Sequence, residues 1–416
     1  ALPVISPAWK GGKTEQLQTE ARQRRTEFAD AARSATAKKY NSLTSIRPDF
    51  WTPWATVSTY GAQGGLAAAM SDPARHQELV LVGGYETEYQ SPIALVRYTY
   101  RGLKPDLTLY GGLNQRAYPD LLTSPDTLRR FDYAEETQFA GAALSFPLWT
   151  RLNRQLTFKL GYEFLQRDVI EEVEDDYRGI RLNIPPTLED QGSVWGRLDY
   201  FSGTAHGRSI SIEDGFLISV GAEHSSSSLG GEIDATRALA DLNGYISMPW
   251  FKNHVLKISG AYGTGRGDEY AQGLFGLGGF GSFPASLTPG IARNLGVRGY
   301  NTNFQTGQRV VRVGAAYRFP VLDLFKGLES GFPLYNRDLR LEVFYEGGRT
   351  YDDNDIGDDI GWLHSAGAEI NYGMSILRFI RFAPGIGVAY APQRDDRDPD
   401  ENEAVAYISV KLWSSF

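Results

Sequence analysis

The stretch DLRLEVFYEGG, Asp338–Gly348, changes chemistry at every step. Leu339, Leu341, Val343 and Tyr345 are apolar, while Arg340, Glu342, Phe344 and Glu346 form a mostly polar opposite set. Period-two alternation of this kind is a strand with two unlike faces. The stretch QRVVRVGAAYRF just before it repeats the pattern. Val311, Val313, Ala315, Tyr317 and Phe319 share one face, and Arg312, Gly314, Ala316 and Arg318 the other. A soluble sandwich would bury the apolar face and wet the charged one. A membrane barrel does the reverse, with lipid outside and a polar lumen within.

Working outward, period-two segments of about ten residues recur from Trp51 to the end of the chain. Sixteen can be laid out, starting near 54, 63, 78, 91, 106, 137, 155, 192, 214, 235, 253, 308, 338, 362, 378 and 404. Their connections alternate in length. Segments 72–76, 102–105 and 250–253 are short, as is the link at Ile376–Leu377, whereas 117–136, 167–191, 265–307, 350–361 and 392–403 are long. Short turns at one end and long loops at the other are the outer-membrane arrangement. The long loops also hold most of the acid, in 168–176, 352–359 and 395–403, which predicts an anionic extracellular end.

Composition agrees. The 416 residues include 46 Gly, 23 Tyr, 21 Phe and 8 Trp, a mixture that favours strands and aromatic girdles. Mean hydropathy is −0.34 and no run approaches the length of a membrane helix, which leaves a β-barrel open. There is no cysteine, so disulfides and thiolate metal sites are excluded. A net charge of −8 and the lack of a basic stripe argue against nucleic acid. Five scattered His, with no nucleophile motif beside them, point to neither a metal centre nor an enzyme. Asp353, Asp355 and Gly357 are spaced like part of a calcium loop but lack its closing Glu, so a solvated acidic loop is expected. Arg266-Gly267-Asp268, the adhesion tripeptide, is read as coincidence.

Residues 1–48 differ, with helix formers and mixed charge over roughly 14–40. The expected division is a linker or helix over 1–48 and a barrel over 49–416. The first segment is either a solvated connection, such as one to an upstream domain, or a plug. The start ALPVISP suggests a trimmed product.

The segment Phe275–Val321 carries a set of motifs: Leu277-Gly278-Gly279, then Val297-Arg298-Gly299-Tyr300, then Tyr317-Arg318-Phe319-Pro320. One strand later come Phe344, Glu346 and Gly348, and the last strand ends on Phe416. Together these resemble the BamA/TamA superfamily (the surface-antigen family) of outer-membrane barrels. Its sixth loop carries a similar VRGY-type motif, a later strand carries F-x-D-x-G, and the chain ends on an aromatic signal. This sequence has Glu346 in place of the Asp, Ala316 where relatives often have Glu, and Ser414 where an apolar residue is usual. No periplasmic POTRA repeat is seen in residues 1–48.

The resemblance implies a 16-stranded antiparallel transmembrane β-barrel whose sixth loop folds into the lumen. There Arg298 would meet Glu346 and Phe344, with Gly296 and Gly299 forming the turn that presents it. It also implies a weak seam between the first and last strands, and a role in inserting polypeptide into the outer membrane or moving it across. No cofactor, nucleotide or metal is called for. The expected partners are outer-membrane lipid and lipopolysaccharide, unfolded outer-membrane or secreted clients, and a periplasmic partner reached through the N-terminal segment. A passive barrel that anchors a partner domain, and a surface antigen or adhesin, stay open as other readings.

Overall fold

The computed structural model describes residues 40–58, 61–206, 209–280, 289–327, 334–352, 361–376, 380–394 and 403–413. The expected N-terminal helix, the acidic positions 353–360 and Phe416 lie outside the described residues.

Sixteen long strands form one antiparallel sheet. The first eight are β1 (Arg47–Ser58), β2 (Gly61–Ser71), β3 (Gln77–Glu86), β4 (Pro92–Tyr100), β5 (Asp106–Thr123), β6 (Arg130–Arg151), β7 (Arg154–Val169) and β8 (Gln191–Thr204). The wall continues through β9 (Asp214–Ser225), β10 (Ala235–Ser247) and β11 (Val255–Gly267). A long excursion follows, with three short strands: β12 (Phe275–Leu277), β13 (Asn294–Leu295) and β14 (Gln305–Gly307). The wall resumes with β15 (Arg309–Gly327), β16 (Leu334–Tyr351), β17 (Leu363–Ile376), β18 (Ile380–Tyr390) and β19 (Ala404–Trp413).

Each wall strand pairs with the next wall strand along the chain, from β1 round to β19. The first and last strands meet, but among the described residues no hydrogen-bond ladder joins them. The sheet is therefore a nearly closed barrel with one seam.

Facing follows the alternation. On β16, Glu342, Phe344 and Glu346 are 5%, 3% and 8% exposed, while Val343 and Tyr345 are 47% and 45% exposed. Leu160 on β7, Val220 on β9, Ile258 on β11, Val313 on β15 and Ile408 on β19 likewise stand exposed on the outside. The exposed tyrosines Tyr262, Tyr345 and Tyr390 lie nearer the long-loop ends of their strands, while Tyr335 lies at the other end of β16. A barrel with apolar side chains outside and carboxylates inside is inverted relative to a soluble one, and such an exterior suits hydrocarbon.

Two expectations need correction. Most of 117–136 is not loop. Strands β5 and β6 run on to Thr123 and from Arg130, and a bulge between Tyr118 and Leu122 absorbs the register change. Tyr118, Leu122, Phe131 and Tyr133 pack together there, so apolar side chains extend the hairpin beyond the point where polar residues suggested it ended. The first strand also starts early, at Arg47 rather than near 54, although the apparent pattern begins with the tryptophans. Within the long connection after β7, Glu171–Tyr177 forms a short helix.

Candidate functional site

The described parts of the excursion between β11 and β15 pack against inward-facing side chains of the wall. Gly278 (φ 125°) and Gly279 (φ 76°) let the chain turn back on itself after β12. The small sheet pairs β12 in parallel with β13 and antiparallel with β14. Its side chains Phe275, Leu277, Leu295, Val297 and Phe304 are buried against wall residues including Trp195, Leu239, Val310 and Leu363. Burial on this scale, about 1.5–3 kcal/mol for each large side chain, makes the loop a packed plug. Gly348 on β16 explains part of the fit. A Cβ there would come within 2.5 Å of the Val311 carbonyl oxygen and 3.1 Å of the Leu277 side chain, so glycine suits both the wall and the leucine of the loop.

At the tip of this plug, Arg298 enters a cluster of carboxylates. Its Nη2 and Nε donate to Glu346 Oε1 at 2.8 and 3.1 Å, and its backbone N–H donates to Glu346 Oε2 at 3.0 Å. Nη1 donates to Glu342 at 2.9 Å and to Glu369, on β17, at 3.2 Å. The guanidinium carbon lies 3.4 Å from the centroid of the Phe344 ring. A planar fork over an aromatic face with carboxylates around its edge uses every recognition feature of arginine. Burial opposes the charge, but Glu346 and Glu342 outweigh it and hold the guanidinium above its ordinary range. Arg318 pairs with Glu342 at 2.6 Å and Arg312 with Glu346 at 3.2 Å, so the carboxylates are balanced from the wall as well.

The neighbours of Arg298 fix its approach. Val297 is fully buried. Gly299 has φ 93°, and a Cβ on it would come within 3.0 Å of the Ala389 and Ala391 methyls. Tyr300 donates to the backbone carbonyl of His364 at 2.7 Å. Only Gly299 of the two expected turn glycines adopts the left-handed region; Gly296 instead offers its carbonyl to Arg312 Nε.

Glu369 extends the cluster to the seam. It also accepts from Tyr407 Oη at 3.0 Å and Ser409 Oγ at 2.8 Å, both on β19. The Phe280 ring of the loop lies 4.5 Å from that of Tyr407.

A second grip, absent from the sequence reading, lies five residues before Arg298. Arg293 donates to Glu223 on β9 at 3.1 Å and to Gln191 on β8 at 2.8 Å. Glu223 also pairs with Arg237 of β10 at 2.6 Å. Burial again works against the charge on Arg293, and Glu223 and Glu163 override it, raising its proton affinity. Arg197 donates to the Gly290 carbonyl at 2.8 Å on the same side. The available signal was phase: Glu163 and Glu223 fall on the lumen side of their strands' alternation, where buried acids need a cation. Among the described residues no group of three or more His, Asp or Glu is placed to hold a metal ion.

Comparison with solved structures places this architecture. BamA from Haemophilus ducreyi lacking POTRA domains 1–3 is similar over 90% of this chain and 71% of its own, with 13% identity and a TM-score of 0.55. CdiB from Escherichia coli is similar over 90% of this chain and 63% of its own, with 11% identity and a TM-score of 0.55. The fold is that of the BamA and CdiB barrels. CdiB from Acinetobacter baumannii gives a TM-score of 0.50 at 12% identity, over 88% of this chain and 60% of its own. The chain thus spans less than two thirds of either CdiB. No protein-family profile and no curated protein matches the sequence.

Proposed function

We propose that the chain is an outer-membrane barrel of the BamA/TamA type that inserts polypeptide into that membrane or passes it across, opening at the β1–β19 seam. The observation that carries this reading is the pairing of two features: a seam without a ladder, and a lumen loop whose arginine reaches the seam strand through Glu369. A strand edge free of its partner offers unpaired N–H and C=O groups to an incoming strand, so affinity comes from backbone hydrogen bonds and needs no catalytic side chain. Arg298, with Glu346 and Phe344 beneath it, is the latch that holds the closed state. The long acidic loops face the cell exterior, the apolar belt faces lipid, and residues 1–48 connect the barrel to a periplasmic partner or domain.

The test is reconstitution of the barrel in lipid vesicles with an unfolded outer-membrane client. Cysteine pairs, one within 51–55 and one within 404–409, should crosslink across the seam, and the crosslinked barrel should lose client assembly that reduction restores. Undiminished assembly by a fully crosslinked barrel would exclude seam opening. A second reading, a passive barrel that anchors another domain, draws support from the loop's grip on both walls; it predicts no client assembly in either redox state.

A further inference from the structure

The outer face carries a basic row. On β11 the outward positions climb through Ile258 and Tyr262 to Arg266, which is exposed. On β16 they climb through Val343 and Tyr345 to Arg349. Between them, the outward row of β15 ends at Arg309, beyond Val313 and Val311. Register makes the three neighbours. Arg309 lies opposite Thr264 on one side and Tyr351 on the other, which puts Arg266 and Arg349 at its two diagonal positions. Diagonal neighbours are about 7–8 Å apart, so the row is roughly 15 Å long and well within the reach of arginine side chains.

The opposite wall shows that the row is local. On β7 the outward position two steps beyond Tyr162 is Gln166, followed by Asp168, and these pair with Gln138 and Glu136 on β6. Among the described residues no carboxylate lies within ion-pair distance of Arg266 or Arg349. The Arg349 guanidinium instead lies over the Tyr351 ring, 5.1 Å from its centroid. In a chain of net charge −8, two outward arginines with no acid partner among the described residues, flanking a third, stand out.

Their height defines what they meet. Four residues beyond a belt tyrosine is about 13 Å along the strand, or about 10 Å of height at the usual tilt. Tyrosine marks the boundary between hydrocarbon and headgroups, so the guanidiniums reach the phosphate layer of the outer leaflet. Arginine grips phosphate with two parallel hydrogen bonds. A row of three cations also suits a headgroup with more than one phosphate better than a single phosphodiester.

We propose that Arg266, Arg309 and Arg349 form a binding site for the phosphorylated sugar headgroup of an outer-leaflet glycolipid held against the outside of the barrel. The inference rests on the proposed outer-membrane placement and is independent of any transport role.

The test uses the full chain in detergent micelles and native mass spectrometry, with diphosphorylated lipid A, its dephosphorylated form and phosphatidylglycerol as separate probes. The intact barrel should retain diphosphorylated lipid A at least about tenfold better than either other probe. The triple variant R266Q/R309Q/R349Q should lose that preference, and Arg266→Gln alone should lose part of it, with the folded barrel band unchanged on unheated gels. Equal retention of all three lipids, or an unchanged preference in either folded variant, would overturn the site. A barrel that fails to enter lipid vesicles would instead refute the membrane placement, which makes the two failures distinguishable.

Discussion

The two ends of the plug are held by arginines only five residues apart, yet in different ways. Arg298 is gripped by a ring and three carboxylates from two adjacent strands, and one of those carboxylates also binds the seam strand. Arg293 shares Glu223 with a second arginine, takes an amide from Gln191, and has Glu163 at 3.9 Å. The first site gathers three carboxylates around one cation from the loop, with Arg318 and Arg312 holding Glu342 and Glu346 from the wall, so losing that cation disturbs all three at once. The second keeps Arg237 on Glu223 whatever happens to the loop. One end touches the seam strand through Glu369, and the other ties the loop to β8, β9 and β10.

Substitution of the two arginines should separate these roles. Arg298→Ala removes three close ion pairs and the stack on Phe344 together, although Glu342 keeps Arg318 and Glu346 keeps Arg312, and should cost about 3–5 kcal/mol in urea unfolding of the barrel. Arg298→Lys should recover only part of this, because a point charge cannot form the fork or stack on Phe344. Arg293→Ala should cost less, up to about 3 kcal/mol by the same measurement, since Glu223 stays paired. A larger loss at Arg293 than at Arg298 would invert the comparison. Gly299→Ala should cost about 1–2 kcal/mol through its left-handed backbone, and should loosen the Arg298 end alone, read as new protease cleavage near Tyr300. Tyr407→Phe removes one hydrogen bond to Glu369 and should cost about 0.5–1.5 kcal/mol. Its sharper readout is the seam: crosslinking between β1 and β19 should fall while the midpoint of unfolding barely moves.

Strand number and facing were legible because period-two patterning is a local property of each segment. Phe344 and Glu346 could be assigned to the lumen from their phase on β16 alone. The pairing of Arg298 with Glu346 was accessible only through motif resemblance, since nothing local ties residue 298 to residue 346. Arg293 belongs to no motif of that kind, and its partners on β8 and β9 are distant in sequence. Local patterning also stopped the β5–β6 hairpin too early, because tertiary packing of Tyr118 and Tyr133 extends strands through residues of weak strand preference.

The plug has a consequence for how the molecule comes to be folded. Every wall ladder joins strands consecutive around the barrel, and apart from β11 and β15 nearly all are linked by modest connections. Such a wall can grow hairpin by hairpin at low loop-closure cost. The loop's ties reach much further, 70 residues back from Arg293 to Glu223 and 71 forward from Arg298 to Glu369. The Arg293 tie requires β8–β9 and the Arg298 tie requires β16–β17, so the fully seated loop requires both. One seated segment thus fastens wall strands on both sides of the β11–β15 ladder to each other.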